Sequence, residues 1–529
     1  MLIDGVLALG CLVPLLAIAS FLLPLLSLIV KNKRFYDVYA LFFSLVALYL
    51  SSCIAWRVYR IGEPLVYTFG GWPPPIGIDY EADLFNSILG LFTTFTMSVI
   101  VMYSVWYTKH MREPVWYYTL LLGLETGLLG CLYTGDVFNL FVMIEVLSIS
   151  AYALVAYYRN KPQAIEAAMK YAFIGAVATT LYFLSLVFIY SSYGTLNMAD
   201  LSLKAMGGGE SIGYSGGYYG DIVIASSIAI ALALWAFTFK SALFPNHFWL
   251  PDAHPEAPTP VSAALSGLVV NIGVYAVARL LYTLFGLNSI IAGNGYRDAI
   301  LYVLIILGIL SGVVGALLMI IQSDVKRFLA YSTISHIGLI YIGLGIGLSS
   351  VSKEIALLGL TATLYHIINH GIGKALLFLA SGVYIESTGT RDLGRMAGVG
   401  KAYPITSIAF LLGILHLMGF IPFGGFFSKL LIYQAHLGAG LYASAVSVII
   451  ISAISLIGYV KLIYVLLLRS PHRAYKACVP KAIEVLLLLM GVLCLLLGLF
   501  SFKILNIFGE AVNQGLIEAY RFYVKPVLG

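Results

Sequence analysis

The chain has 529 residues, of which 61% are hydrophobic and only 10% charged. Soluble domains carry about 25% charged residues, and a mean hydropathy of +0.96 over the whole length exceeds what one buried core supplies. A soluble multidomain enzyme, a disordered chain and a nucleic-acid binder are excluded despite the formal charge of +6; the excess base reads as loop charge that fixes topology.

A helix needs roughly 20 apolar residues to cross a ~30 Å hydrocarbon core. That yardstick gives fourteen spans, over 5–30, 38–60, 83–108, 115–134, 136–158, 163–192, 221–251, 258–286, 296–321, 326–349, 353–386, 401–433, 440–469 and 481–505. The expected fold class is an all-α polytopic membrane protein. No basic n-region precedes the first run, which is long enough to span and counts as a helix rather than a signal peptide. The seventh, eleventh and twelfth spans exceed thirty residues, which demands tilt or a break. The Gly-rich polar stretch 197–220 reads as the longest loop. Five cysteines (Cys11, Cys53, Cys131, Cys478, Cys494) contain no C-x-x-C pair, so neither cluster ligation nor a disulfide framework follows. Glutamine is limited to Gln163, Gln322, Gln434 and Gln514, which points to a hot habitat.

Odd-numbered connections hold sixteen basic residues, among them Lys31, Arg112, Lys326 and Arg391. Even-numbered connections hold five: Arg57, Arg60, Lys204, Arg297 and Lys353. Odd loops therefore belong in the cytoplasm, and both termini outside the cell membrane.

Six basic residues fall within spans: Lys170, Lys240, Arg279, Lys374, Lys429 and Lys461. Glu125, Glu145, His336, His366 and His416 join them. A charge at mid-bilayer costs at least ~2.5 kcal/mol, so such groups face protein or water, and several together suggest an ion path. Lys240 precedes Pro245 and Lys429 follows Pro422, and each proline predicts a helix break near mid-membrane. These are the seventh and twelfth spans, five helices apart, and a five-helix repeat is inverted in the membrane. Paired broken helices in inverted repeats are a transporter pattern with ion sites at the breaks. The alternative is a pair of kinks with snorkelling lysines.

Glu145 lies nine residues after Asp136, hence ~13 Å into its helix. It is either a buried neutral carboxyl or half of an ion pair whose separation releases a lysine's proton. Glu125 divides between local hydrogen bonding and the path. His366, His370 and Lys374 recur every four residues on one helical face. A proton relay, satisfied core histidines and a metal pair are the readings, and the metal pair lacks a third ligand. His336 reads the same way, and His416 divides between packing and relay. For His247, Asp252, His254 and Glu256, near the mouth of the seventh span, loop hydrogen bonding suffices. Arg279 and Lys461, nearer helix ends, are expected to snorkel.

The stretches GDVFNLFVMIEVLSISAY, FPNHFWLPDAHPEAPTPVSA, SDVKRFLAYSTISHIGL, HIINHGIGKALLFLASG and GFIPFGGFFSKLLIY resemble the antiporter-like subunits of respiratory complex I and the Mrp Na+/H+ antiporters. The first is most similar to the D-type Mrp subunit, and equivalents occur in archaeal ferredoxin-linked hydrogenase and sulfur-reducing complexes. The resemblance covers at least residues 115–435. It implies fourteen helices with inverted repeats at helices 4–8 and 9–13, dividing the chain at 1–114, 115–292, 293–470 and 471–529. It assigns the essential glutamate to Glu145 and the broken-helix lysines to Lys240 and Lys429, and places Lys374 and the preceding His366 and His370 on motif positions. Where many members carry a lysine in helix 8, fourteen residues after Ala257, this chain has Asn271, which holds a water but no proton.

The resulting expectation is a proton- or Na+/H+-translocating subunit of a larger membrane complex, with no catalytic centre, metal or cofactor on this chain. Its path would run through Glu145, Lys240, His336, His366, His370, Lys374 and Lys429, with Glu125, Lys170 and Asn271 as further path or water sites. Partners would be other membrane subunits, H+ and Na+, and lipid, without nucleic acid. Membership of a redox-driven oxidoreductase (hydrogenase, sulfur reductase or NADH-quinone type) stays open. The alternative is a non-transporting scaffold or quinone-proximal membrane arm.

Overall fold

A computed structural model describes residues 4–207, 221–471 and 479–528. Apolar stretches form long helices, delimited by side chains that satisfy the free N–H groups of their first turns. Asn32, Asp83, Asp136, Asp221, Asp324 and Ser352 each accept such a bond at a helix start, and Gly62, Gly194 and Gly389 close helices in the left-handed region.

In chain order the helices are α1 Gly5–Ile29, α2 Lys33–Ile61, α3 Leu84–Tyr107, α4 Pro114–Tyr133, α5 Val137–Val155 and α6 Pro162–Tyr193. A short α7, Met198–Ala205, precedes α8 Ile222–Lys240 and α9 Trp249–Glu256. Then follow α10 Thr259–Leu284, α11 Tyr296–Ile321, α12 Val325–Leu344 and α13 Lys353–Thr388. After them come α14 Pro404–Met418, α15 Gly424–Gly438, α16 Tyr442–Leu468, α17 Lys481–Leu499 and α18 Ser501–Val512. Twelve helices among the described residues are long and apolar enough to cross a membrane. The fourteen-span reading also counts α12 and the interrupted pair α14/α15.

The bundle is built around α10, whose apolar core is wholly buried, and α13 beside it. They meet where Gly267 faces Gly371: a Cβ at either would stand 2.9 or 2.7 Å from the other's carbonyl oxygen. Residues 265–269 of α10 are π-helical, a local irregularity often found at functional sites.

Five sequence expectations change. A two-stranded antiparallel hairpin, Leu65–Thr68 with Asp79–Ala82, stands among the helices in the second connection. Its strands are four residues long, too short to register in so apolar a chain. The expected loop at 197–220 begins as α7, and residues 208–220 lie outside the described residues, as does Cys478. Arg279 does not snorkel: it is 2% exposed, pairs with Asp83 at 2.8 Å and lies over the rings of Phe85, Tyr275 and Tyr523. Lys461 bonds the carbonyls of Ile320 and Gln322 at 2.6 and 2.9 Å, capping the end of α11. Among the residues counted as loop charge, Lys204, Arg297 and Lys326 are buried.

Candidate functional site

Both expected break regions interrupt a helix, and both first halves end in the same motif. Ala242 (φ 54°) donates to Phe239 O and Leu243 to Thr238 O; Gly419 (φ 83°) donates to His416 O and Phe420 to Leu415 O. This paired bonding is the Schellman termination. Pro245 lies in the gap between α8 and α9, Pro422 in that between α14 and α15. Trp249 pins α9 back across its gap, donating to Phe239 O at 3.0 Å and stacking on Tyr171 at 3.9 Å.

The two lysines use these ends differently. Lys240 is the last residue of α8, 3% exposed, and donates to Ser148 Oγ at 2.6 Å. Lys429 lies beyond its break, on α15, and reaches back to the carbonyls of Leu417 and Met418 at 2.8 and 3.1 Å. The Lys429 ammonium thus sits at the negative end of a half-helix dipole, whereas that of Lys240 is held by a hydroxyl of α5.

Around Lys374 a hydrogen-bonded chain begins. Lys374 Nζ donates to Ser332 Oγ, whose hydroxyl bonds Tyr459 OH. Tyr459 OH lies 3.1 Å from His336 Nε2, His336 Nδ1 3.1 Å from His366 Nε2, and His366 Nδ1 2.8 Å from Ser428 Oγ. Ser428 precedes Lys429 in α15. Five contacts across α12, α13, α15 and α16 thus lead from one intramembrane lysine to the residue beside the next. His370, fully buried, lies with its ring 5.4 Å from that of His336, and neither of its nitrogens has a protein partner.

The remaining expected residues scatter. Glu145 is half-buried on α5. Asn271 is buried and turned along its own helix, donating to Gly267 O at 2.7 Å, with its Oδ1 unpartnered. Glu125 is buried away from the chain, with Ser44 Oγ 3.4 Å from its carboxylate. His416 bonds Asn369 O at 3.0 Å. Lys170 is a surface residue, paired with Glu166 at 2.7 Å and Asp252 at 3.2 Å. The connecting hydroxyls of Ser148, Ser332, Ser428 and Tyr459 carried no sequence signal.

Residues 134–455 match the family described as "NADH:quinone oxidoreductase/Mrp antiporter, TM". The chain belongs to this family. Among its relatives, NADH-quinone oxidoreductase subunit N of Desulforudis audaxviator is 31% identical, over 84% of this chain and 86% of that protein. The D-type subunit of the Na(+)/H(+) antiporter of Alkalihalophilus pseudofirmus is 34% identical, over 77% and 76%. A chain of the archaeal membrane-bound sulfane sulfur reductase superposes with a TM-score of 0.87 at 29% identity, covering 99% of this chain and all of that one. One of the Mrp complex from Dietzia sp. DQ12-45-1b gives 0.84 at 24%, covering 98% and 99%. As in other NADH:quinone oxidoreductase/Mrp chains, the fold is a multi-pass membrane bundle.

Proposed function

We propose that this chain is the antiporter-like subunit of a multisubunit membrane complex, moving protons, alone or against Na+, along a mid-membrane axis. The observation that carries this reading is the hydrogen-bonded chain from Lys374 through Ser332, Tyr459, His336 and His366 to Ser428, beside Lys429. Titratable groups linked by hydroxyls in an apolar bundle are costly to keep and suit proton transfer.

Glu145 supplies the control. It lies on the side of α5 that also carries exposed Phe138, Val142 and Ile149, where a neighbouring subunit would touch it. A shift there changes the field at Lys240, whose proton then passes toward Lys429. The relatives' names and the likeness to subunits of larger assemblies support membrane-subunit partners. Fourteen crossings in two inverted repeats, with the divisions at 115, 293 and 471, are part of the same reading. Its support is parallel packing: α4 on α5 and α6 on α8 in one half, α11 on α12 and α13 on α15 in the other. Loop charge puts the odd connections in the cytoplasm and both termini outside the cytoplasmic membrane. Chemistry with cofactors would belong to other chains.

The scaffold reading is favoured by one observation. Among the described residues no direct hydrogen bond joins Lys240 to the chain at His336, and Asn271 stands in the intervening region. Proton movement in vesicles containing the intact complex decides between them. Lys240→Ala and Glu145→Ala should stop it, and Asn271→Leu should slow it; wild-type rates in all three sink the transport reading.

A further inference from the structure

His254 is 0% exposed, yet neither ring nitrogen has a hydrogen-bond partner. Loop hydrogen bonding, which the sequence offered for it, is therefore not what holds it. Its ring stacks on Phe378, centroids 4.7 Å apart. Phe378 is one turn, ~6 Å, past Lys374 on α13, so His254 stacks on the next turn of the face that carries His366, His370 and Lys374. The charges of both Lys374 and Lys326 act on this ring, and Lys326 Nζ lies 2.7 Å from Ala257 O just beyond it.

On the other side of the same turn is a mouth. A cavity of about 270 Å³ is lined by Lys170, Asp252, Glu256, Asp324, Arg327 and Arg391. Two of its ion pairs tie the two halves of the chain together, Arg327 with Asp252 and Arg391 with Glu256 at 3.0 Å, and Arg391 also pairs with Asp324 at 3.2 Å within the second half. Asp252 and Glu256 line the cavity while His254, between them in sequence, points inward.

We propose that His254 is the inlet relay, carrying protons from this mouth to Lys374 at the head of the hydrogen-bonded chain. A neutral imidazole takes a proton relayed by water from the mouth on one nitrogen and passes the proton of its other nitrogen, through a further water, to the neutral amine of Lys374. Rotation of the ring restores the starting tautomer, so one proton moves inward per cycle with no other bond changed. This rests on the proton-carrying reading above and adds its entry point, on the side of the odd-numbered loops.

The test uses vesicles containing the intact complex, with acridine orange reporting the pH difference. His254→Gln keeps bulk and polarity but cannot carry the proton, and should slow transport at least about tenfold with assembly unchanged. In His254→Gly, which leaves a cavity of imidazole size, imidazole added on the mouth side should restore part of the rate and imidazole added on the opposite side should not, a rescue that a packing role would not show. Wild-type rates in His254→Gln, with Lys240→Ala and Lys429→Ala inactive, overturn the inlet and leave the axis standing. Normal transport in the two lysine variants overturns the axis itself. Should His254→Gln fail to assemble, Asp252→Cys labelled with a bulky maleimide decides: transport should stop relative to the labelled parent, and unimpaired transport overturns the inlet.

Discussion

The Lys240 ammonium donates a hydrogen bond to Ser148 Oγ at 2.6 Å and makes no ion pair with Glu145, three residues before that serine on α5. The rings of Tyr152 and Tyr171 flank the ammonium at 5.8 and 5.6 Å. The serine thus supplies a neutral acceptor inside the membrane, while the carboxylate acts from a distance. Losing the acceptor of a charged donor costs about 1.5–3 kcal/mol. Ser148→Ala should accordingly lower proton movement by at least about tenfold, whereas Ser148→Thr, which keeps a hydroxyl, should retain most of it. Equal rates in the two variants would remove the serine from the path.

Tyr459 is a link between two helices whose hydroxyl can be deleted with almost no change of shape. It joins Ser332 to His336 and is fully buried on α16. Tyr459→Phe should leave assembly and thermal stability near wild type and reduce transport roughly tenfold or more. A loss of assembly with unchanged transport per assembled complex would mark the hydroxyl as structural.

How far the sequence reached depended on whether a residue's signal was local. Pro245 and Pro422 act on their own helices, so both interruptions could be placed from the chain alone. Lys240, Lys374 and Lys429 stand out because charge is rare in apolar runs. Ser148, Ser332, Ser428 and Tyr459 do not, since hydroxyls are common in such helices and only tertiary packing selects these four. Direction was the other blind spot. Lys326 and Arg279 looked like loop or snorkelling charge because depth along a helix does not say which way a side chain faces, and both turn inward. His254 failed for the same reason, its bland reading depending on partners that the fold does not bring to it.

Arg279 closes the end of α10 against the hairpin and the C-terminal segment. It pairs with Asp83 and lies 3.3 Å from Gly515 O, which also accepts from Thr283 Oγ1 at 2.9 Å. Removing one partner of a buried pair leaves an uncompensated charge and costs about 3–5 kcal/mol. Arg279→Met should lower the thermal stability of the purified complex markedly, and adding Asp83→Asn, which removes the charge and keeps the cap on Asn86 N, should recover much of the loss. If the double variant is no more stable than the single, the pair is not what Arg279 contributes.

The carboxylates on that hairpin, outside the spanning helices, make its docking sensitive to pH. Burial pushes Asp79 from 3.8 up to about 7, with the charge of Asp136 adding to the rise and the Asn197 amide opposing it. Glu81 is pushed well above its ordinary value, chiefly by burial and then by Asp79 and Asp83. A raised carboxyl pKa in the folded state means that the folded form binds more protons than the unfolded one. The associated stability is fully present below 3.8 and is lost as pH rises through about 7. Amide hydrogen exchange in Asp79–Ala82 and Asn513–Ile517, corrected for intrinsic rates, should therefore speed up between about pH 5 and about pH 9. Asp79→Asn removes one of the titrations in that window and should flatten the profile. A profile as steep in Asp79→Asn as in the wild type would shift the titration to Glu81 or Asp136, and Glu81→Gln and Asp136→Asn would then separate them.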